Sequence, residues 1–155
     1  MCSKNSKPEL YGDRTVGKLI KWLRILGVPC GQSDFGSPDK IPEGALLLTK
    51  NRRLLSPRTL LIPYDRVGEQ LRFVFAQIPG LKERLEPLSL CLDCNVRLEE
   101  ISKEEVFGLV PDHVYETCHR FRRCPQCKRI YWRGTHPQRM SKRLEEWGLT
   151  IEMGG

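Results

Sequence analysis

Cys91-Leu-Asp-Cys94 and Cys124-Pro-Gln-Cys127 are two Cys-x-x-Cys pairs with 29 residues between them. A two-residue gap lets both thiolates of a pair turn toward one point, and two such knuckles supply the four soft ligands that close a tetrahedral Zn²⁺ site. Asn95 follows the first pair, where a small polar residue tolerates a tight turn, and Pro125 lies inside the second. Disulfides are the competing use of such residues. Seven cysteines is an odd number, and Met1-Cys-Ser-Lys-Asn-Ser-Lys7 carries no apolar signal region, so a reducing cytoplasm is the expected compartment. A site closed by four cysteines leaves no open position, so this ion is expected to be structural. The spacer is longer than that of a common zinc ribbon and is expected to hold structure of its own.

Outward from the knuckles, 155 residues allow one moderate core and a small metal-stapled module. The expected units are a domain over 8–80 and a zinc ribbon over 86–147. A net charge of +7 favours a polyanionic partner. No apolar run approaches the roughly 18 residues needed to cross a bilayer, so nucleic acid rather than membrane is expected.

In the first unit, Pro8 to Gly12 reads as a short strand. Val16, Leu19, Ile20, Leu23 and Leu26 then mark the buried stripe of a helix over Thr15 to Leu26, with Gly27 as its cap. Val28 to Cys30 is a second short strand, and Gly31 to Gly44 is rich in turn formers and reads as loop. Ala45-Leu-Leu-Leu-Thr49 and Thr59-Leu-Leu-Ile-Pro63 have the length and continuity of buried strands. A helical turn is expected from Asn51 to Leu55 and a second helix from Val67 to Ile78. This alternation implies a parallel α/β sheet covered by helices. Pro79 to Ser89 reads as a link. Beyond it, Ser102-Lys-Glu-Glu105 opens a short helical segment that Val110-Pro-Asp-His113 is expected to break. Ile130 to Arg133 is read as a strand and Pro137 to Trp147 as a closing helix.

Two groups of side chains carry candidate chemistry. In an open parallel sheet, ligands bind outside the carboxyl ends of the strands. Asp13, Thr49-Lys50-Asn51 and Tyr64-Asp65 end three strands, and Asp34 and Asp39 in the intervening loop could join them. Carboxylates gathered at one point would hold Mg²⁺ or Mn²⁺ and permit phosphodiester hydrolysis, whereas the plainer reading is that Asp favours turns. Asn51 could orient water or substrate through its amide.

The second group is cationic. Arg14, Lys18, Lys21 and Arg24 form a stripe on the first helix, with Lys50 nearby. Thr117 to Leu144 holds nine Lys or Arg and no Asp or Glu. Within it Arg122, Arg123, Lys128, Arg129 and Arg133 are interleaved with Phe121, Tyr131 and Trp132. Such a surface neutralises phosphates while its rings stack on unpaired bases, or the rings simply cover the zinc.

Leu10-Tyr-Gly-Asp13-Arg-Thr-Val-Gly17-Lys-Leu-Ile-Lys-Trp22-Leu-Arg24-Ile-Leu-Gly27, Leu47-Leu-Thr49-Lys-Asn-Arg-Arg-Leu54 and Glu69-Gln70-Leu71 form one set of motifs. With them go Cys91-x-x-Cys94-Asn95-x-x-Leu98 and Phe121-x-x-Cys124-Pro-x-Cys127-x-x-x-Tyr131-Trp132-x-Gly134-x-His136. In this order they resemble the Mut-seven C-terminal RNase family, from about Leu10 to Leu144. The resemblance implies a Rossmann-like, PIN-type domain that acts on RNA through a divalent metal held by aspartates. It also implies a zinc ribbon that grips RNA, with His136 in its closing motif. The chain departs from the family pattern at Thr49-Lys50-Asn51, where an amide stands in place of the family's third-strand aspartate. It departs again in the short Gly31 to Gly44 crossover. The first lowers the expected affinity for a divalent ion, and with both departures a non-cleaving RNA-binding or partner-docking protein is the alternative expectation.

Overall fold

The computed structural model describes residues 9–133 and 136–153, and the side chain of His136 lies outside that description, as do Pro8 and Gly134. Four short strands, β1 (Glu9–Gly12), β2 (Cys30–Gln32), β3 (Ala45–Thr49) and β4 (Thr59–Leu61), form one sheet in the order β2-β1-β3-β4. Every pairing in it is parallel, as the alternation of strand and helix predicts. Two helices belong to this unit, α1 (Gly17–Ile25) and α2 (Val67–Gln77), and a 3-10 turn at Arg14–Val16 leads into α1.

Side chains alternate across a strand, so β3 divides its residues between two clusters. Leu48 packs with Leu19, Ile20 and Leu23 of α1 and with Leu71 and Val74 of α2. Ala45 and Leu47 point the other way, onto Ile41, Leu54, Tyr11 and Phe35. That second face is therefore covered by the crossover itself. Between β2 and β3 the chain makes only one 3-10 turn, Pro38–Lys40, where a fuller crossover would place a helix.

The C-terminal third forms a second sheet, antiparallel, of β5 (Glu99–Ile101), β6 (Phe121–Arg123) and β7 (Ile130–Trp132). Its own core is small: Val106, Val110, Val114 and Phe121 are buried together. A helix, α3 (Asp112–Thr117), starts where Val110-Pro-Asp-His113 was expected to end helical structure. Pro111 sits immediately before it, and proline at a helix start costs nothing because the first amides have no helical partner.

The last helix, α4 (His136–Glu146), follows the antiparallel sheet in sequence but packs on the parallel one. Leu144 is fully buried among the residues of α1 and α2, and Leu149 and Met153 join it. Trp147 meets Trp22 edge to face, with ring centroids 5.0 Å apart. Gly68 of α2 makes room for it, since a Cβ there would lie 2.4 Å from the Trp147 ring.

The segment read as a link also docks. Leu26 is the cap of α1, and Gly27 donates to the Arg24 carbonyl while Val28 donates to that of Leu23, the paired bonds of a Schellman ending. Gly27 has φ +87°, and the chain at Glu86 approaches so closely that a Cβ would lie 2.1 Å from its carbonyl oxygen. Gly27→Ala should therefore cost about 3 kcal/mol, from left-handed strain plus displaced backbone. The shift of the denaturant midpoint measures it, and a shift near zero would show that the Glu86 segment moves aside freely.

Candidate functional site

Strand order decides where the parallel sheet opens. From β1 the chain crosses to β2 on one side and then to β3 on the other, so the carboxyl ends of β1 and β3 flank the switch point where such sheets bind ligands. Asp13 ends β1 there, only 4% exposed, and among the described residues it is the acidic residue in the buried set. Its Oδ2 accepts from the Thr49 hydroxyl at 2.5 Å. Its Oδ1 accepts from both the amide and the hydroxyl of Thr15, at 3.0 and 2.5 Å. Thr15 Oγ1 in turn accepts from the Lys50 amide, and Thr49 Oγ1 from the Asn51 amide, each at 3.0 Å. Asp13 is thus the hub that ties the end of β1 to the turn after β3. Thr15 was not among the candidate residues. Its signal is Asp-x-Thr directly after a strand, with a second Thr closing the next buried strand.

The other acids sit apart from this hub. Asp34 pairs with Arg14, whose Nε lies 3.3 Å away, and accepts from the Arg14 amide at 3.1 Å. Asp65 is bound by Lys50, which holds its carboxyl below the usual carboxylate range. Asp39 accepts from the Ser37 hydroxyl within its own exposed turn. The Asn51 side chain accepts from the Arg53 amide and caps the 3-10 turn at Arg52–Leu54. The candidate acids do not form a group able to share a metal ion; among the described residues that arrangement is made by four cysteines. Among the described residues, no three of the candidate acids come together at the switch point.

The cysteines do fit a metal. Sulfurs of Cys91, Cys94, Cys124 and Cys127 all lie within 4.8 Å of one another, and Cys91 and Cys127 are 3.8 Å apart. Four sulfurs around one zinc at about 2.3 Å would be about 3.8 Å from each other. The two knuckles have the same build. Asn95 and Lys128, each one residue past its pair, adopt φ near +60° and +69°. Each returns its amide to the carbonyl of the first cysteine, at 2.9 Å in both knuckles. The Cys124 sulfur accepts from the Gln126 and Cys127 amides at 3.3 Å. Burial raises the Cys91 thiol, but the Tyr131 hydroxyl and the Cys94 and Asp93 amides outweigh it and bring it to about 7. Cys94 is pushed up to about 12 by burial, by hydrogen bonding to the neighbouring sulfurs and by the charge of Cys91. Four thiolates this close need a cation between them.

Tyr131 belongs to this centre. Its hydroxyl donates to Cys91 Sγ at 3.2 Å and accepts from the Leu92 amide, the kind of outer contact that orients a metal ligand. The first knuckle is also fastened to the parallel unit. Arg24 donates to the carbonyls of Cys30 and Leu92, and Asn95 Oδ1 accepts from the Cys30 amide.

The remaining cations divide between structure and surface. Lys18 and Lys21 are exposed on α1. Arg122 donates to the Leu88 carbonyl, Arg129 pairs with Asp93, and Arg123 lies 3.7 Å from Glu99 with its Nε buried and unbonded. Successive residues of β6 point to opposite faces, so Arg122 and Arg123 do not serve one surface. Trp132 is 36% exposed, and Arg133 donates to the Met153 carbonyl.

A parallel α/β domain joined to a small four-cysteine, zinc-type unit is the class that this fold and this site define. The chain belongs to the Mut7-C RNAse domain family, whose model matches residues 8–144, most of its length. Comparisons with curated proteins and with solved structures found no match. Family and cysteine cluster together indicate a ribonuclease-like protein with a metal-binding unit. Among the described residues no helix is long and apolar enough to cross a membrane.

Proposed function

We propose that this protein is a ribonuclease that acts on RNA held across the carboxyl edge of its parallel sheet, with the zinc unit as a second surface on the same strand. The observation that carries this reading is the placement of Asp13. A chain of an RNase domain family puts its buried carboxylate at the switch point, beside the exposed cations Arg14 and Lys50. The sequence units 8–80 and 86–147 would work as one body, since Arg24 and Asn95 bind them together. A reducing cytoplasm suits the thiolates.

The chain's own residues supply binding and order at this edge. Phosphates would compete for Arg14 and Lys50, whose pairs with Asp34 and Asp65 are exposed and screened by solvent. Thr15 and Thr49 hold Asp13 in one orientation. The family's chemistry implies Mg²⁺ or Mn²⁺, and among the described residues no three of these acids come together to share one.

That separation, with Asn51 occupied as a cap, favours one second reading: salt-sensitive RNA binding without cleavage. Incubating labelled single-stranded RNA with and without Mn²⁺ decides between them. Cleavage that requires Mn²⁺ and is lost in Asp13→Asn supports the ribonuclease. Tight binding with no turnover supports the second reading. RNA affinity should fall about tenfold in Lys18→Glu with Lys21→Glu, and the salt slope should shallow by about 0.7 per lost phosphate contact. Anisotropy titrations at several salt concentrations measure both, and an unchanged affinity would move the RNA off α1. Unchanged RNA affinity after charge reversal at Arg122, Arg123, Lys128 and Arg129 would make the zinc unit a protein-docking surface instead.

A further inference from the structure

Between the knuckles the chain makes a turn that sorts its side chains. The Leu109 amide donates to the Val106 carbonyl at 2.9 Å, Phe107 has φ −59° and ψ 127°, and Gly108 has φ +81°, which together define a type II turn. Val106 and Val110 are buried in the small core of the zinc unit. Phe107 and Leu109 are 73% and 66% exposed, more than any other large apolar side chain among the described residues.

A core of four buried residues has use for both side chains, yet the turn holds them outside. Their positions are set in advance. Phe107 meets the half-buried Tyr115 of α3 edge to face, with ring centroids 5.3 Å apart, and its amide donates to the Glu104 carbonyl. An apolar group already held in place loses little freedom when a partner covers it.

The charge around this turn runs against that of the chain. Residues 99–116 hold six Asp or Glu and one Lys, in a protein whose net charge is +7. That lysine, Lys103, lies over the Tyr115 ring. Glu99 and Glu100 pair with Arg123 and Arg120, and Glu105 accepts from the Ser102 amide and hydroxyl. Glu104, Asp112 and Glu116 are exposed and enter no ion pair among the described residues. Positions three and four apart on a helix are neighbours, so Asp112 and Glu116 share one side of α3, next to Tyr115.

Charge selects what covers the patch. Three unpaired carboxylates repel phosphates, which turns away RNA and anionic lipid. A second copy docking by two-fold symmetry would set the same acids against each other. A protein segment with apolar side chains flanked by Lys or Arg matches both the rings and the carboxylates. We propose that Phe107, Leu109 and Tyr115, with Glu104, Asp112 and Glu116 around them, dock a cationic amphipathic segment of another protein. This surface requires neither Asp13 nor bound RNA.

The probe is a short fluorescent helical peptide of Leu and Lys with leucine along one face, and its counterpart carries Glu at every Lys. On the zinc-loaded full chain, the cationic peptide should bind at least about tenfold more tightly than the anionic one. It should shift the amide signals of Gly108, Leu109 and Glu116. Phe107→Ser with Leu109→Ser, both at exposed positions, should weaken it about tenfold or more, and Glu104→Lys with Glu116→Lys should remove the preference between the peptides. No binding, binding that leaves those amides unmoved, or binding indifferent to the serine variant overturns the proposal. An oligoadenylate that shifts the same amides would give the patch to RNA instead. Concentration-dependent sedimentation of the chain alone, abolished by the serine variant, would give it to a second copy, and either result also overturns the proposal.

Discussion

Loss of the metal is expected to unfold the C-terminal unit while the parallel sheet keeps much of its order. The second sheet has three strands of three residues each and four buried apolar side chains in its core, far too little to fold alone. A structural zinc supplies on the order of 10 kcal/mol to units of this size. Cys124→Ser is the cleanest version, because Cys124 is fully buried and its sulfur accepts from two amides of its own knuckle. The variant should bind no zinc, and amide signals from Val106, Val114 and Phe121 should collapse toward unfolded positions. Signals from Leu23 and Leu47 should shift less. The damage should still cross the joint, since Arg24 and Asn95 lose their partners and α4 has to leave the antiparallel sheet to reach its seat on α1. A chain that retains the native spectrum after full chelation would remove zinc from the account of its stability.

Replacing Asp13 is expected to have the next largest effect, and the choice of replacement separates its two roles. Asp13→Ala removes the acceptor of three hydrogen bonds and leaves the Thr49 hydroxyl buried without its partner. Hydrogen bonds to a charged group are worth about 1.5–3 kcal/mol each, and water can replace some of them, so a net loss of about 3 kcal/mol is expected. The loss should appear as a lower denaturant midpoint and faster amide exchange at Lys50 and Asn51, whose amides bond the two threonines. Asp13→Asn keeps the shape and an acceptor for Thr15 and costs less, about 1–2 kcal/mol, because Thr49 can rotate to accept from the new amide. If the carboxylate charge serves the reaction, this milder variant loses RNA cleavage while remaining folded. Cleavage at the parent rate in folded Asp13→Asn would leave Asp13 as a structural hub alone.

The halves of this molecule differ in how far their sequence reveals them. The cysteine spacing is a local property, and both knuckles close through bonds between residues at most five positions apart, so the metal centre could be read directly. The buried stripe of α1 and the apolar runs at Ala45–Thr49 and Thr59–Leu61 were equally legible, because burial imposes its period on neighbouring residues. Helix α3 and strand β6 were not. Both are short, one begins at a proline read as a breaker, and the other is so rich in arginine that its alternation disappears.

What tertiary structure decided was which side chain meets which. Arg24 reaches Leu92 across 68 positions, Tyr131 reaches Cys91 across 40, and Asp13 meets Thr49 across 36. The four candidate acids, two after strands and two in the crossover loop, are indistinguishable in the sequence, yet one became a buried hub and two were taken by neighbouring cations. Local spacing fixes periodicity and metal knuckles because their partners are chain neighbours. The fate of a charge depends on strand order and on the path of a crossover, and only the folded chain supplies these.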